Sequence, residues 1–516
     1  MSQAHDWRAA IAALTFIAAT SLAGAQALPP PPVPTENPSS EQKRALGKIL
    51  FWDEQLSGDS TVACGTCHSN GRSGTDARIG IYPGPDGVFG TPDDVKGSPG
   101  VKHTDAAGDA VLDPLFGLSI QVTRRAANAA VGAAYSPEVF WDGRARSTFV
   151  DPETGLTAIA NGGALENQAL GPVLSSVEMG HDGRTWTEVE AKLARSEPLG
   201  NATSIPPDLV PLVASHPTYA DLFAAAFGDP AITGARIAQA IATYERTLVA
   251  NRTPWDLFVG GNPTAMTPGQ QQGWNFFRTS PCAACHTPPT FSNNSFRNIG
   301  VRPPTEDSGR QEVTGFNGDR GRFKVPTLRG VGLKTTYMHT GVFSNLQDVV
   351  AHYRPNNPAI FLDNIDPILP VPVPPQVGPA LIDFMANALT DPRVAAQTFP
   401  FDQPSLHAGG LQQLSFDADK ATLRWPALSG VAAYVVFRGD LADLVDNDAD
   451  GLPDTGYGVC VTANDPNPSD AAYVDTEIPD AGHGYFYLKG VRDGTTVRGL
   501  GVTSAVRPRV PAVACP

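Results

Sequence analysis

Cys64-Gly65-Thr66-Cys67-His68 and Cys282-Ala283-Ala284-Cys285-His286 are two complete C-x-x-C-H motifs in one chain of 516 residues. The two cysteines of such a motif form thioethers to the vinyl groups of a haem, and the adjacent His is thereby placed to bind the iron. A zinc site or a redox-active dithiol is the competing reading of either motif alone. With only 6 Cys and 10 His in the chain, two complete copies favour two covalently bound haems c.

A helix signal precedes each motif. Ser40 can cap a helix running through Leu46, Ile49 and Leu50, and Thr267 with Pro268 opens a comparable one before the second motif. Because the arrangement occurs twice, two cytochrome c-like haem domains are expected, over residues 40–235 and 236–400. Between the motifs Ile237, Ile241, Tyr244 and Leu248 recur at helical spacing and read as core. No strand-rich segment is expected before about residue 405. From Leu414 onward, short alternating runs at 421–425, 433–437 and 485–488 are separated by Gly, Pro and Asp clusters. The predicted fold class is therefore mainly α, with two cytochrome c-like haem domains followed by a small all-β sandwich over 405–516.

Composition narrows the setting. With 51 Gly, 48 Pro and 41% apolar residues, the chain reads as globular and loop-rich rather than disordered. A net charge of −15 argues against nucleic acid as a partner. It is compatible with docking of a basic redox protein, although solubility alone is the preferred explanation. Residues 1–25 read as a signal peptide: Arg8 in a short polar start, an apolar run at 9–19, and Ala23-Gly24-Ala25 at a cleavage site. Residues 26–39 form a Pro-rich linker. A periplasmic protein with no membrane span is expected, and in that compartment the two remaining cysteines, Cys460 and Cys515, are read as a disulfide.

Further stretches carry a family resemblance. They are Ile49-Leu50-Phe51 with Leu56-Ser57, Phe140-Trp141-Asp142-Gly143-Arg144-Ala145, Gln168-x-x-x-Pro172 followed by Glu178-Met179-Gly180, Phe323-x-Val325-Pro326-Thr327-Leu328-Arg329, and Tyr337-Met338-His339-x-Gly341. Over about residues 40 to 395 the chain resembles the bacterial dihaem cytochrome c peroxidases and their MauG-type relatives. That resemblance implies a peroxidatic iron on His68 and an electron-transfer iron on His286, with Trp141 between them. It also implies that Glu178 is the distal acid, which can take a proton from bound peroxide and return it to the leaving oxygen. Gln168 and Pro172 would line the same pocket. Without the family, Trp141 is a core residue beside a turn and Glu178 an acidic loop residue.

The resemblance also frames the sixth ligands. Electron-importing peroxidases close the first iron with a second His about sixteen residues beyond the proximal one, and this chain has Gly84 there. His103, in a Gly-, Pro- and Asp-rich insertion, and His181 are the alternatives. At the second iron those enzymes use a Met, whereas MauG-type proteins place a Tyr fourteen residues beyond the His of Tyr-x-His-x-Gly, which here is Tyr353. A phenolate favours high iron oxidation states and a thioether favours ferrous iron. His352 and Met338 are rival ligands. The family's interhaem calcium would rest on the carbonyls of Lys334 and Thr336, but its Asn position aligns with Ala126, with Asn128 a nearby substitute.

The last domain resembles a fibronectin type III module through Leu423-x-Trp425, Tyr434-x-Val436 and Tyr485-x-Tyr487. Within it Asp446, Asp448, Asp450 and Asp454 place carboxylates around Gly451, a spacing suited to calcium, with a solvated acidic turn as the alternative. The expected function is an exported dihaem oxidoreductase that reacts with hydrogen peroxide at the first haem. It would oxidise a redox partner or protein substrate through the second. The alternatives are a peroxide-detoxifying peroxidase fed by a small cytochrome or cupredoxin, and a dihaem electron carrier.

Overall fold

The computed structural model describes residues 28–109, 111–117 and 119–406 and, beyond them, 415–416, 421–425, 433–445, 455–462, 469, 472–480, 483–493 and 496–498. The expected signal peptide, the Asp446, Asp448, Asp450 and Asp454 loop, and Cys515 lie outside the described residues. Cys460 is in a disulfide.

The Ser40 hydroxyl accepts the Lys43 N–H at 3.1 Å and so caps the first helix, Glu41–Trp52. Its Leu46, Ile49 and Leu50 are fully buried. Burying each such side chain contributes roughly 1.5–3 kcal/mol. They pack against the helix Gly234–Glu245, where Ile237, Ile241 and Tyr244 fill the facing side. The two backbones meet closely because position 47 is glycine; a Cβ there would stand 1.8 Å from the Ala240 carbonyl oxygen. Trp52 Nε1 donates to the Tyr244 hydroxyl at 3.1 Å, and the four-residue helix Cys64–Cys67 follows.

The second half repeats this plan. Thr267 caps the helix Pro268–Thr279, its hydroxyl accepting from the Gln270 N–H at 3.2 Å. Gly273 permits the close approach here, since its Cβ would lie 2.1 Å from the Ala380 carbonyl of the helix Gly378–Asp383. Trp255, Phe277, Phe291 and Phe384 form the aromatic centre of this second core, and the turn Cys282–Cys285 sits on it.

The two cores are interleaved along the chain. Val394 and Phe401, from beyond the second core, complete the first. Asn70 donates to the Phe401 carbonyl at 3.0 Å, and the Lys48 ammonium bridges Asp208 at 2.9 Å and Asp402 at 3.0 Å. The Pro-rich stretch is likewise held to the first half: Asn37 is buried and donates to Glu166 at 2.8 Å and to the Gln239 carbonyl at 3.0 Å.

Short antiparallel pairs occur before residue 405, where no strand-rich segment is expected. They join 80–82 to 95–97, 99–102 to 120–122, 149–150 to 157–159, and 296–297 to 323–324. Runs of two to four residues are too short for an alternating pattern to register in the sequence. Beyond 405, Ala472–Val474, Thr422–Arg424 and Ser415–Phe416 pair as one antiparallel sheet. Val459–Cys460, Ala433–Asp440, Tyr485–Asp493 and Thr496–Arg498 pair as a second, in that order. Leu423, Trp425, Tyr434 and Val436 bury a small core there.

One cationic side chain ties the halves together. Arg125 grips Asp142 at 2.6 Å and Asp307 at 2.7 Å. Burial alone would raise both carboxyls; Arg144 and Arg125 outweigh it at Asp142, and Arg125 does so at Asp307, holding both below the usual range. Replacing Arg125 by Met leaves Asp307 without its counter-ion and Asp142 with Arg144 alone, and urea unfolding should show a loss of about 3–5 kcal/mol. The carboxylates contribute their stability above the ordinary carboxylate range and lose it as the pH falls through their depressed values. The R125M protein should show a smaller acid-side decline, the part that Arg144 sustains at Asp142. An unchanged urea midpoint and pH profile would show the cluster to be inert.

Candidate dihaem site

His68 follows the first C-x-x-C turn, and its Nδ1–H donates to the Gly74 carbonyl at 3.0 Å, which leaves Nε2 free to bind a metal. Cys64, Cys67 and His68 line a cavity of about 940 Å³. Both thiols are free, and burial pushes Cys64 up to about 12. Gln168 and Pro172, from the helix Ala164–Leu174, and Glu178 and Trp141 line the same cavity. The structure thus brings together the residues singled out around the first motif. Burial pushes the Glu178 carboxyl upward, opposed by Arg144, by a hydrogen bond with Ser175 and by His68.

Tyr82, Leu115 and Phe116 close part of this cavity from the insertion. His103 points elsewhere, with Nε2 2.8 Å from an Asp182 oxygen, and His181 Nδ1 donates to the Asp182 carbonyl at 3.0 Å. Among the described residues lining the first cavity, His68 is the only histidine. Gly84 is not among the lining residues either.

The second motif is built alike. His286 Nδ1 faces the carbonyls of Phe291 at 3.2 Å and Pro326 at 3.1 Å, so the Val325-Pro326-Thr327 stretch orients this ring. Burial drives His286 down to about 4, against those carbonyls, which keeps its Nε2 unprotonated at neutral pH. Cys282, Cys285, His286 and Tyr353 line a narrower slot of about 170 Å³. Tyr353 ends the helix Leu346–His352, and burial, with the two cysteines nearby, pushes its phenol well up. His352 turns away: its Nε2–H donates to the Ile299 carbonyl at 2.8 Å. Met338 and Met385 both reach the slot.

Trp141 lines both cavities. Its indole N–H donates to the Ala126 carbonyl at 2.8 Å and its own carbonyl accepts the Lys324 N–H at 2.7 Å. Its ring meets His339 edge-on at 6.2 Å, and His339 stacks on Phe323 at 3.5 Å. Asn128 also borders both cavities, and Lys334 and Thr336 border the second.

Several lining residues escaped sequence reasoning. Glu245, buried and driven up to about 8, faces the first cavity with an Oε2 that has no hydrogen-bond partner among the described residues. Lys324 and Met385 face the second, as does the side chain of Lys334, of which only the backbone carbonyl was expected to matter. No local motif marks any of them, because their role comes from where distant segments meet.

The donor set fits haem c at both places: free paired thiols on a turn, and a His whose Nδ1 is fixed by a backbone carbonyl and whose Nε2 faces the cavity side.

Comparisons with known proteins agree. The model of the family described as di-haem cytochrome c peroxidase matches residues 41–264. The methylamine utilization protein MauG of Paracoccus denitrificans is 30% identical over 355 residues, covering 61% of this chain and 75% of that protein. Cytochrome c551 peroxidase of Nitrosomonas europaea is 28% identical over 323 residues, covering 62% of this chain and 75% of that enzyme. The fold is similar to a crystal structure of a MauG-like protein associated with microbial copper homeostasis, with a TM-score of 0.51, 22% identity, and coverage of 73% of this chain and 96% of that one. With two haem-attachment turns, two cavities and a shared tryptophan in place, the chain belongs to the di-haem cytochrome c peroxidase family that includes MauG, a family of peroxidase-type oxidoreductases carrying haem c.

Proposed function

We propose that this protein reacts with hydrogen peroxide in the His68 cavity and draws electrons from a partner protein or protein substrate through the His286 cavity, in the manner of MauG. The observation that carries this reading is an asymmetry: among the described residues no second histidine lines the first cavity, whereas Tyr353 lines the second. We assign the first haem domain to about residues 40–250 completed by Val394 and Phe401, and the second to the core from Trp255 to Leu389, which moves the expected boundary at 235/236 because the helix Gly234–Glu245 packs into the first core. A fibronectin type III-like sandwich is assigned to 405–516, which the two antiparallel sheets support. A cleaved leader at 1–25 and a periplasmic location complete the assignment.

Haem iron at the two sites supplies the redox chemistry. The chain's own residues handle protons and positioning. Glu178 Oε takes a proton from one peroxide oxygen and returns it to the departing one; burial raises its carboxyl, which makes it a stronger base for the first of these transfers. Gln168 and Pro172 border the same space and limit where peroxide can sit. Trp141 offers an aromatic path between the cavities, and its N–H stays bonded to the Ala126 carbonyl, with no base in contact to remove its proton. Tyr353, as phenolate, would hold the second iron in an oxidised state.

A second reading rests on Met338 and Met385, which border the second cavity beside Tyr353. A thioether ligand there would make the protein an electron-importing peroxidase, supplied by a small cytochrome or cupredoxin.

Electron paramagnetic resonance of the ferric protein should show one high-spin and one low-spin haem; two low-spin signals would rule out an open first site and leave an electron carrier. Tyr353→Met should raise the potential of the second haem in a redox titration, and an unchanged potential would remove Tyr353 as its ligand in favour of a methionine. Glu178→Gln should slow the reaction with peroxide by about 10²–10⁴-fold. It should also abolish the rise in rate as pH climbs through the upward-shifted carboxyl. A variant that keeps both rate and profile would exclude Glu178 as the acid–base group.

A further inference from the structure

The two cavities differ in charge. Glu178, Glu245 and Asp142 line the first along with arginines. Among the described residues no Asp or Glu lines the second, yet Arg297, Lys324 and Lys334 do. Two of these cations are engaged: Arg297 pairs with Asp366 at 2.8 Å, and Lys324 donates to the Asn294 side-chain oxygen at 2.7 Å. The Lys334 ammonium forms no hydrogen bond or ion pair among the described residues. It is near enough to His286 to add to the burial that opposes protonation of that ring. Burial lowers Lys334 to about 8, so it remains mostly an ammonium at neutral pH.

An ammonium that lines a cavity without a counter-ion is costly to desolvate, and natural structures supply one. No described residue offers a carboxylate in this cavity, so the anion comes with whatever occupies it. Resting on the reading that a haem c occupies the second cavity, we infer that Lys334 is a cofactor-anchoring residue whose ammonium receives a propionate carboxylate of that haem. Arg297 and Lys324 already have protein partners, which leaves Lys334 as the cation free to take it. The ion pair fixes the plane of the macrocycle relative to His286 and places a positive charge beside the second iron. A cation so placed favours the reduced, more negative state and raises the potential of this haem. Lys334 thereby acts against a phenolate ligand, and the two together set the driving force for withdrawing electrons from a donor.

The test uses the full-length holoprotein. Haem content and intact mass of the wild type report whether the second haem is present; a protein carrying one haem would overturn the reading beneath this inference. With both haems present, Lys334→Met should lower the potential of the second haem and leave that of the first in place. It should also shift the propionate bending mode of one haem in resonance Raman spectra. Lys334→Arg, which keeps the charge, should restore both readouts to wild-type values, and it serves as the folded control if the Met variant fails to accumulate. Wild-type potential and Raman spectrum in Lys334→Met would overturn the anchoring role. So would a Lys334→Arg protein displaced as far as the Met variant.

Discussion

The hydrogen bond from each proximal imidazole to a backbone carbonyl is the constraint on which the rest of the architecture depends. An iron ligand must present one particular nitrogen in one orientation, and a C-x-x-C-H turn alone fixes only where the ring begins. Gly74 supplies the carbonyl for His68 from six residues away, within the same loop. His286 uses Phe291 and Pro326, the latter forty residues on, so the second site exists only when the Phe323–Arg329 stretch has folded over it. That stretch also returns to Trp141 through the Lys324 N–H, so one short segment orients the second haem ligand and fastens the tryptophan between the cavities.

Electrostatics divides the labour that the two turns share by construction. The first cavity mixes buried acids with arginines and can hold or release protons. The second contains cations and a phenol but no carboxylate among the described residues, and so suits an anionic cofactor whose electrons rather than protons move. Between them Arg125 gathers Asp142 and Asp307, which with Arg144 on Asp142 offsets their charge and keeps the Trp141 loop against the second half.

Legibility in the sequence followed range. The haem-attachment turns, the Ser40 and Thr267 caps and the Ile237–Tyr244 stripe were readable because each is a local pattern with a local cause. Tyr353 and His352 show where this stops. They are neighbours at one helix end, and only the position of Ile299, more than fifty residues earlier, sends the histidine out of the cavity. Met385, Glu245 and the side chain of Lys334 were silent for the same reason. The paired strands before residue 405 were missed because two or three residues cannot display a period of two. The sheets near the end of the chain, with a nine-residue strand at their longest, could.

The interleaving of the two cores has a consequence for how the chain can be assembled and cut. Phe401 and Asp402 supply parts of the first core and of the Lys48 cluster, so the half that begins at residue 40 stays incomplete until residue 402 has been made. Such long sequence separation slows folding and leaves apolar surface uncovered in the meantime. It also means that the second haem unit is topologically an insert within the first. A break in the chain between the two C-x-x-C-H turns would yield no self-sufficient half, whereas a terminus placed just past residue 406 would leave both cores whole.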